Sequence, residues 1–402
     1  MILANRINEL EESQTLAMSK LTRELKEQGH DIINLTLGEP DFVTPDYIRE
    51  AAKKAIDDGY TFYPPVAGFA DLRKAIVAKF KRENNLDFTT EQIIVSTGAK
   101  QSIANVVMCL VNPGDEVIVP TPYWVSYSQI IQVAGGIPVF IDAGVDTDFK
   151  ITAAQIEKAI TPKTKLFIYS SPCNPTGSVY TRNELESFAQ VFKKYKHVSI
   201  LSDEIYEHIN FEGKHESIAQ FDYLKDQVVI VNGVSKAYAM TGWRLGYIAA
   251  PVVLAKACDK IQGQFTSGAC SISQKAALAA VSSDAALLEP MQTAFKNRRD
   301  IMLKNLGNIE GLKLNNPGGA FYVFPDVSYY FGKSNGEIEI KTAEDLSMYL
   351  LKDAKVSSVT GEAFGNPNCI RFSYATSENL LLEACKRISE SLGKLKQKLE
   401  LV

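Results

Sequence analysis

Seven short apolar runs punctuate the middle of this chain, at 92–96, 116–119, 137–141, 166–169, 199–201, 228–231 and 245–249. Stretches of helical spacing, at 101–110, 124–134, 152–160 and 182–195, lie between most of them. No other feature constrains the fold as tightly. A strand that is followed by a helix and then by another strand closes most simply by crossing over the sheet, which makes the strands parallel and lays helices on both faces. Many of the runs are apolar throughout rather than alternating with polar residues, which fits strands buried on both faces. The expected architecture is α/β, with a large domain built on a mostly parallel sheet.

Outside this stretch the rhythm differs. An amphipathic helix is expected over 14–28, with Leu16, Leu21 and Leu25 at helical spacing, followed by an extended Ile32-Ile33-Asn34-Leu35. Two further helical patterns cover 45–58 and 68–84, separated by a segment whose prolines Pro64 and Pro65 break the helix. Past residue 285 a long helical stretch (285–306) leads into short strands at 320–324 and 369–374 and helices at 343–354 and 378–395, the pattern of a smaller α+β domain. The 402-residue length suits two domains. The expected division is 1–45, an N-terminal segment packing with the small domain; 46–290, the large domain; and 291–402, the small one. The Gly-, Ser- and Asn-containing stretch 328–341 is expected to be a mobile loop.

Charge and cysteine usage exclude several classes. A net charge of −4 gives no electrostatic case for nucleic acid or an anionic membrane. No run approaches the roughly 20 apolar residues of a spanning helix, and residues 1–13 lack the apolar centre of a signal peptide. The six cysteines are dispersed without a CxxC pair, as expected of free thiols in a reducing cytoplasm. The four histidines form no HExxH, so no metal site is expected.

In an open α/β sheet, ligands bind beyond the carboxyl ends of the strands. Run 92–96 passes into Thr97-Gly98-Ala99-Lys100, a glycine turn at a helix start that presents N–H groups to an anion. Run 166–169 leads into Ser170-Ser171-Pro172-Cys173-Asn174-Pro175, where two prolines stiffen the loop around the Asn174 amide. Run 199–201 ends in Ser202-Asp203-Glu204-Ile205-Tyr206. Run 228–231 delivers Lys236 onto a loop, with Arg244 eight residues later. A lysine amine condenses with an aldehyde, and a guanidinium grips a phosphate dianion. Pyridoxal 5′-phosphate (PLP) carries both groups. Asp203 can pair with its ring nitrogen, so that the ring draws electrons from a carbanion, and Tyr206 can donate to its phenolic oxygen. Trp124 offers a flat face to a ring. Arg371, in the apolar segment Cys369-Ile370-Arg371-Phe372, needs an anion such as a carboxylate. Taken singly, each also fits a plainer role: a turn, a helix cap, a core tryptophan, a salt bridge or a surface lysine.

In this chain order, the motifs Pro-Tyr-Trp-Val-Ser-Tyr (122–127), Asn-Pro-Thr-Gly (174–177), Ser-Asp-Glu-Ile-Tyr (202–206) and Ser-Lys-Ala-Tyr-Ala-Met-Thr-Gly-Trp-Arg-Leu-Gly-Tyr (235–247) resemble one family. These are the class I/II aminotransferases, fold-type I PLP enzymes, in the subgroup of aspartate and prephenate aminotransferases. The resemblance covers about residues 32–392. It implies PLP bound through Lys236, with Asp203 on the ring nitrogen, Trp124 stacked on the ring, and Asn174 and Tyr206 at the phenolic oxygen. It places the Ala99–Lys100 backbone, Ser235 and Arg244 at the phosphate, and Gly38 and Arg371, with Trp124 and Asn174, at the amino acid. It further implies a homodimer with shared active sites, in which Tyr63 reaches the phosphate of the other subunit. Many relatives carry a phosphate-binding serine or threonine where this chain has Gly233. In the subgroup, the position of Lys100 binds the distal carboxylate of acidic substrates.

The expected reaction is amino transfer between L-aspartate and 2-oxoglutarate. Prephenate or aromatic amino acids are the alternatives, and a PLP-dependent β-lyase is a further one. A hydrolase elbow at Gly233-Val234-Ser235-Lys236-Ala237 is disfavoured, because its fifth residue is not glycine and no histidine has a supporting context.

Overall fold

Successive strand residues point to opposite faces of a sheet, and the central sheet buries both. The computed structural model describes residues 1–8, 10 and 12–397. Its main sheet comprises β1 (Ile93–Ser96), β2 (Glu116–Thr121), β3 (Ile137–Asp142), β4 (Thr164–Ser170), β5 (Ser199–Asp203), β6 (Val228–Gly233) and β7 (Gly246–Ala249), in the spatial order β1-β7-β6-β5-β4-β2-β3. Ile93, Phe167, Tyr169, Ile200 and Ile230 enter one hydrophobic core. Their neighbours Ile94, Leu166, Ile168, Leu201 and Val231 enter another on the opposite face. This is why the runs read as continuously apolar.

The pairs β3–β2, β2–β4, β4–β5 and β5–β6 are parallel; β7 runs antiparallel to both its neighbours, β6 and β1. The mostly parallel α/β expectation therefore holds. Strands β2, β4 and β5 run past the apolar runs into Thr121, Ser170 and Asp203, because ladder pairing uses the backbone and tolerates a polar side chain at a strand end.

Two helices carry no clear sequence pattern, Val252–Phe265 and Ser271–Ser282. Each buries a glutamine in its apolar stripe. Gln262 Nε2 donates to the carbonyls of Val66 and Val95 (both 2.8 Å), and Gln274 Oε1 accepts from Phe69 N–H (2.8 Å). Polar residues satisfied inside the core interrupt the periodicity that reveals a helix.

A separate core gathers Phe295, Met302, Tyr322, Leu346, Tyr349, Phe372, Leu381 and Ile388 with Ile33 and Leu35 from near the N-terminus. Its antiparallel sheet pairs Val359–Thr360 with Ile370–Ser373 and that strand with Tyr322–Val323. Ile33–Asn34 pairs in parallel with Val356–Ser357, and Ser373 N–H donates to Leu35 C=O (2.8 Å). The segment expected to be a mobile loop is instead tied by hydrogen bonds: Gly332 N–H to Ile340 C=O (2.7 Å), Ile340 N–H to Lys333 C=O (2.9 Å), and Lys333–Ser334 paired with Lys396–Gln397. Its partner strand lies far away in sequence, which local composition does not report. Among the described residues no helix is long and apolar enough to cross a membrane. All six cysteines are free thiols.

Candidate active site

Five strands of the main sheet, β1, β2, β4, β5 and β6, send the residues after their carboxyl ends into one cavity of about 460 Å³. Because β7 is antiparallel, its leading residue Arg244 reaches the same end. The smaller unit contributes Tyr322 and Arg371, and the N-terminal segment contributes Leu37, Gly38, Glu39 and part of the helix Gln14–Glu27. Eleven of the twelve residues singled out from the sequence line this cavity: Gly38, Ala99, Lys100, Trp124, Asn174, Asp203, Tyr206, Ser235, Lys236, Arg244 and Arg371. Tyr63 does not; its side chain is 93% exposed.

At one end stands an anion cradle. Gly98 adopts φ +82°, and a Cβ placed there would lie 2.5 Å from Arg244 Nη2, so only glycine lets the guanidinium come this close. The helix Ala99–Leu110 starts here with no acidic residue in its first turn and no side-chain cap. The N–H groups of Ala99 and Lys100, its first residues, have no acceptor within the helix. Ser235 is buried beside them. Gly233 is not part of the cradle. A Cβ on it would lie 2.9 Å from both Gly246 Cα and Leu245 C=O, so the approach of β6 to β7 leaves no room for a hydroxyl-bearing side chain.

Deeper in, Asp203 accepts from the Tyr127 hydroxyl (2.6 Å) and from Ile205 N–H (3.3 Å). Burial pushes its carboxyl up to about 6. Lys236 Nζ donates to the Gly38 carbonyl. Burial, with Arg371 and Arg244 nearby, lowers its pKa to about 8, so a neutral amine is within reach near neutral pH. Tyr206 shares a hydrogen bond with Tyr322 (2.8 Å), and burial holds its phenol well above the usual range. Trp124 packs edge-to-face on Tyr127, and Lys100 Nζ lies 5.0 Å over its ring. Burial and Arg244 lower the pKa of Lys100.

Arg371 is 2% exposed. Its Nη1 donates to Asn174 Oδ1 (3.0 Å) and its Nη2 to Thr36 C=O (2.7 Å), while Nε is buried without a partner. No ion pair among the described residues includes it.

Sequence reasoning missed Tyr127, Tyr322, Glu39 and the Thr36 carbonyl. Tyr127 had a signal, since it lies one helical turn beyond Trp124. Tyr322 had none: it meets Tyr206 across 116 residues of chain.

The profile of the family described as "Aminotransferase class I and II" matches residues 30–388. The chain belongs to this family. It is 47% identical over 399 residues to a "Probable aspartate/prephenate aminotransferase" of Rhizobium leguminosarum bv. phaseoli, covering 98% of this chain and 99% of that one. A protein of Cereibacter sphaeroides named "Aspartate/prephenate aminotransferase" is 47% identical, covering 96% and 97%. Among solved structures, an aspartate aminotransferase of Rhizobium meliloti superposes with a TM-score of 0.95 at 42% identity, covering 98% of this chain and 100% of that one. One from Thermus thermophilus, with maleate, gives 0.91 at 39%, covering 97% and 100%.

As an aminotransferase of this family the protein depends on PLP, and the cavity fits that molecule. Its lining holds four basic residues (Lys100, Lys236, Arg244 and Arg371) against two acidic ones (Glu39 and Asp203). The excess suits an anionic cofactor with an anionic substrate. The donors at the helix start and the buried carboxyl of Asp203 match a phosphate and a basic ring nitrogen respectively.

Proposed function

We propose that the enzyme exchanges the amino group between L-aspartate and 2-oxoglutarate, giving oxaloacetate and L-glutamate in two half-reactions. The observation that carries the substrate class is that Arg371 and Lys100, neither of them in an ion pair among the described residues, line one cavity. A dicarboxylic amino acid brings one carboxylate for each. Prephenate is the second reading: it too carries two carboxylates, and relatives are named for both substrates.

Bound PLP supplies an aldehyde and a ring that withdraws electrons. Lys236 would hold the cofactor through its aldehyde, and its neutral amine would serve as the base and acid that moves the proton of the substrate's Cα. Asp203 holds a proton on the ring nitrogen, while Tyr206 and Asn174 hydrogen-bond the phenolic oxygen. Trp124 covers the ring face. The Ala99 and Lys100 N–H groups, Ser235 and Arg244 hold the phosphate. Gly38 and Arg371 orient the α-amino acid end, which Trp124 and Asn174 flank, and Lys100 takes the distal carboxylate.

The working form is a homodimer, in which Tyr63 reaches the neighbouring subunit's phosphate. The exposure of Tyr63 and Phe62, outside their own subunit's cavity, supports this. The free thiols support a cytoplasmic location. Residues 1–45 pack with the small domain, 46–290 form the large domain and 291–402 the small one; of these, 9, 11 and 398–402 lie outside the described residues. The packing of Ile33 and Leu35 with the 295–395 core supports that division.

Absorbance of the PLP-loaded protein on adding aspartate, prephenate with an amino donor, or phenylalanine tests the reading. The visible band should bleach with aspartate. Lys100→Gln should raise the KM for aspartate about tenfold and spare any activity on phenylalanine. Failure to bind PLP would end this reading, and pyruvate with ammonia released without a 2-oxo acid would make the protein a β-lyase.

A further inference from the structure

Asp203 is a carboxyl 5% exposed, with no ion-pair partner within 4.0 Å among the described residues. The charged and titratable groups acting on it are its chain neighbour Glu204, which disfavours its ionisation, Lys236 across the cavity, which favours it, and the phenol of Tyr127. The Cys173 thiol and the Tyr206 phenol also lie within its influence. Its two protein donors are unequal. The Ile205 N–H is long, at 3.3 Å, whereas the Tyr127 hydroxyl lies 2.6 Å from Oδ2, the length of a charge-assisted bond.

Tyr127 suits the role of a permanent donor. It is 1% exposed, sits at the start of the helix Ser126–Val133 and is wedged edge-to-face against Trp124, with ring centroids 5.5 Å apart. Burial and the adjacent carboxylate push its own ionisation well above the usual phenol range, so it keeps its proton at any working pH. A proton between two bases resides on the more basic one. A donor to the carboxylate lowers the basicity of the carboxylate and leaves the proton on the nitrogen.

We propose that Tyr127 is a positioning residue that acts through Asp203: its hydroxyl holds Asp203 as a carboxylate, so that the proton they share with the PLP ring stays on the ring nitrogen. This rests on the assignment of Asp203 to that nitrogen.

The test is the ¹⁵N signal of ring-labelled PLP in the holoenzyme, with the PLP dissociation constant of the cofactor-free protein. In Tyr127→Phe the signal should move toward that of a neutral pyridine, and PLP should bind roughly tenfold more weakly, the worth of one hydrogen bond to a charged group. In an Asp203→Asn background, Tyr127→Phe should change neither reading, because its effect passes through the charge. Incorporating 3-fluorotyrosine at 127, a stronger donor of nearly the same shape, should raise the pH at which the ring nitrogen loses its proton. That arm decides the matter if Tyr127→Phe does not fold. A wild-type ring signal in Tyr127→Phe, an equal loss in both backgrounds, or no rise with fluorotyrosine overturns the proposal. If Asp203→Asn itself leaves the nitrogen protonated, the Asp203 assignment fails first, and the two failures are distinguishable.

Discussion

Two groups of charges lie in this molecule, and they are built on opposite rules. One surrounds Lys79, which is 1% exposed. Its ammonium contacts Glu207, donates to Asn84 Oδ1 (3.0 Å) and lies 3.6 Å from Glu83. His208 is 2.8 Å from Glu83, His215 is 3.0 Å from Glu204, and Asn232 donates to Glu207 (2.9 Å). Three carboxylates meet one ammonium and two imidazoles. Glu83, Glu207 and His208, and likewise Glu204, Glu207 and His215, lie close enough to hold a cation, but the Lys79 ammonium already sits against Glu207. The other group is the cavity, with four basic residues against two acidic ones and an unpaired guanidinium nitrogen.

The titration of each group follows from its balance. Burial alone would raise Glu207, yet Lys79, His208 and His215 hold it well below the usual carboxylate range. In the cavity, burial wins: Asp203 rises to about 6 and Lys236 falls to about 8. Buried charges that meet opposite charges keep their charged forms, whereas those that meet too few are disfavoured until a ligand supplies the missing charge. Asp203 and Glu204 are chain neighbours. They serve different groups because successive residues at a strand end point opposite ways.

The largest effect should come from the cavity. Lys236→Ala should lower steady-state transamination by at least about a thousandfold, and a variant turning over at the normal rate would sink the assignment. Breaking the balanced group should act on stability instead. Lys79→Met leaves Glu207 buried without its ammonium and should cost about 3–5 kcal/mol in denaturant unfolding, with activity per folded molecule kept. A loss of activity without loss of stability would show that the two groups are not separate.

Asp203→Asn should do the reverse. The folded carboxyl titrates at about 6 against an ordinary 3.8, so its contribution to stability is fully present below about pH 4 and lost as pH rises through 6. At pH 7.5 the cofactor-free variant should therefore be more stable than wild type by about 3 kcal/mol, while losing activity. An unchanged or lower melting temperature would contradict the cost of burying the ionised carboxyl. The smallest effect concerns Lys236. Its amine is neutral above about 8, so the rate at which the cofactor-free protein develops the visible band with PLP should rise about tenfold per pH unit from 6 toward 8, then level off. A flat profile would place the amine elsewhere.

Much of this site was legible because it is local. Lys236, Asp203, Asn174 and the Gly98 turn each lie at or within a few residues of a strand's end, and a strand end is visible as the close of an apolar run. Tyr127 escaped notice although its spacing from Trp124 was a signal, because that spacing alone does not distinguish a tyrosine that faces a carboxylate from one that fills a core. The helices 252–265 and 271–282 escaped because Gln262 and Gln274 find their partners far away in the chain. The strand at 333–334 was hidden because its mate is at 396–397.

The alternation of runs determined by itself that the chain forms a mostly parallel, double-faced sheet, since period and apolarity act over a few residues. The motifs at the strand ends likewise declared the family. Only the tertiary structure decided where Arg371 finds itself: lining the cavity, held by the Thr36 carbonyl 335 residues away and by Asn174 of the other unit, with one buried nitrogen left without a partner. That placement, like the charge imbalance around Lys236, depends on how distant segments pack and how much water they exclude, and burial of that kind is a property of the assembled molecule rather than of any stretch of its chain.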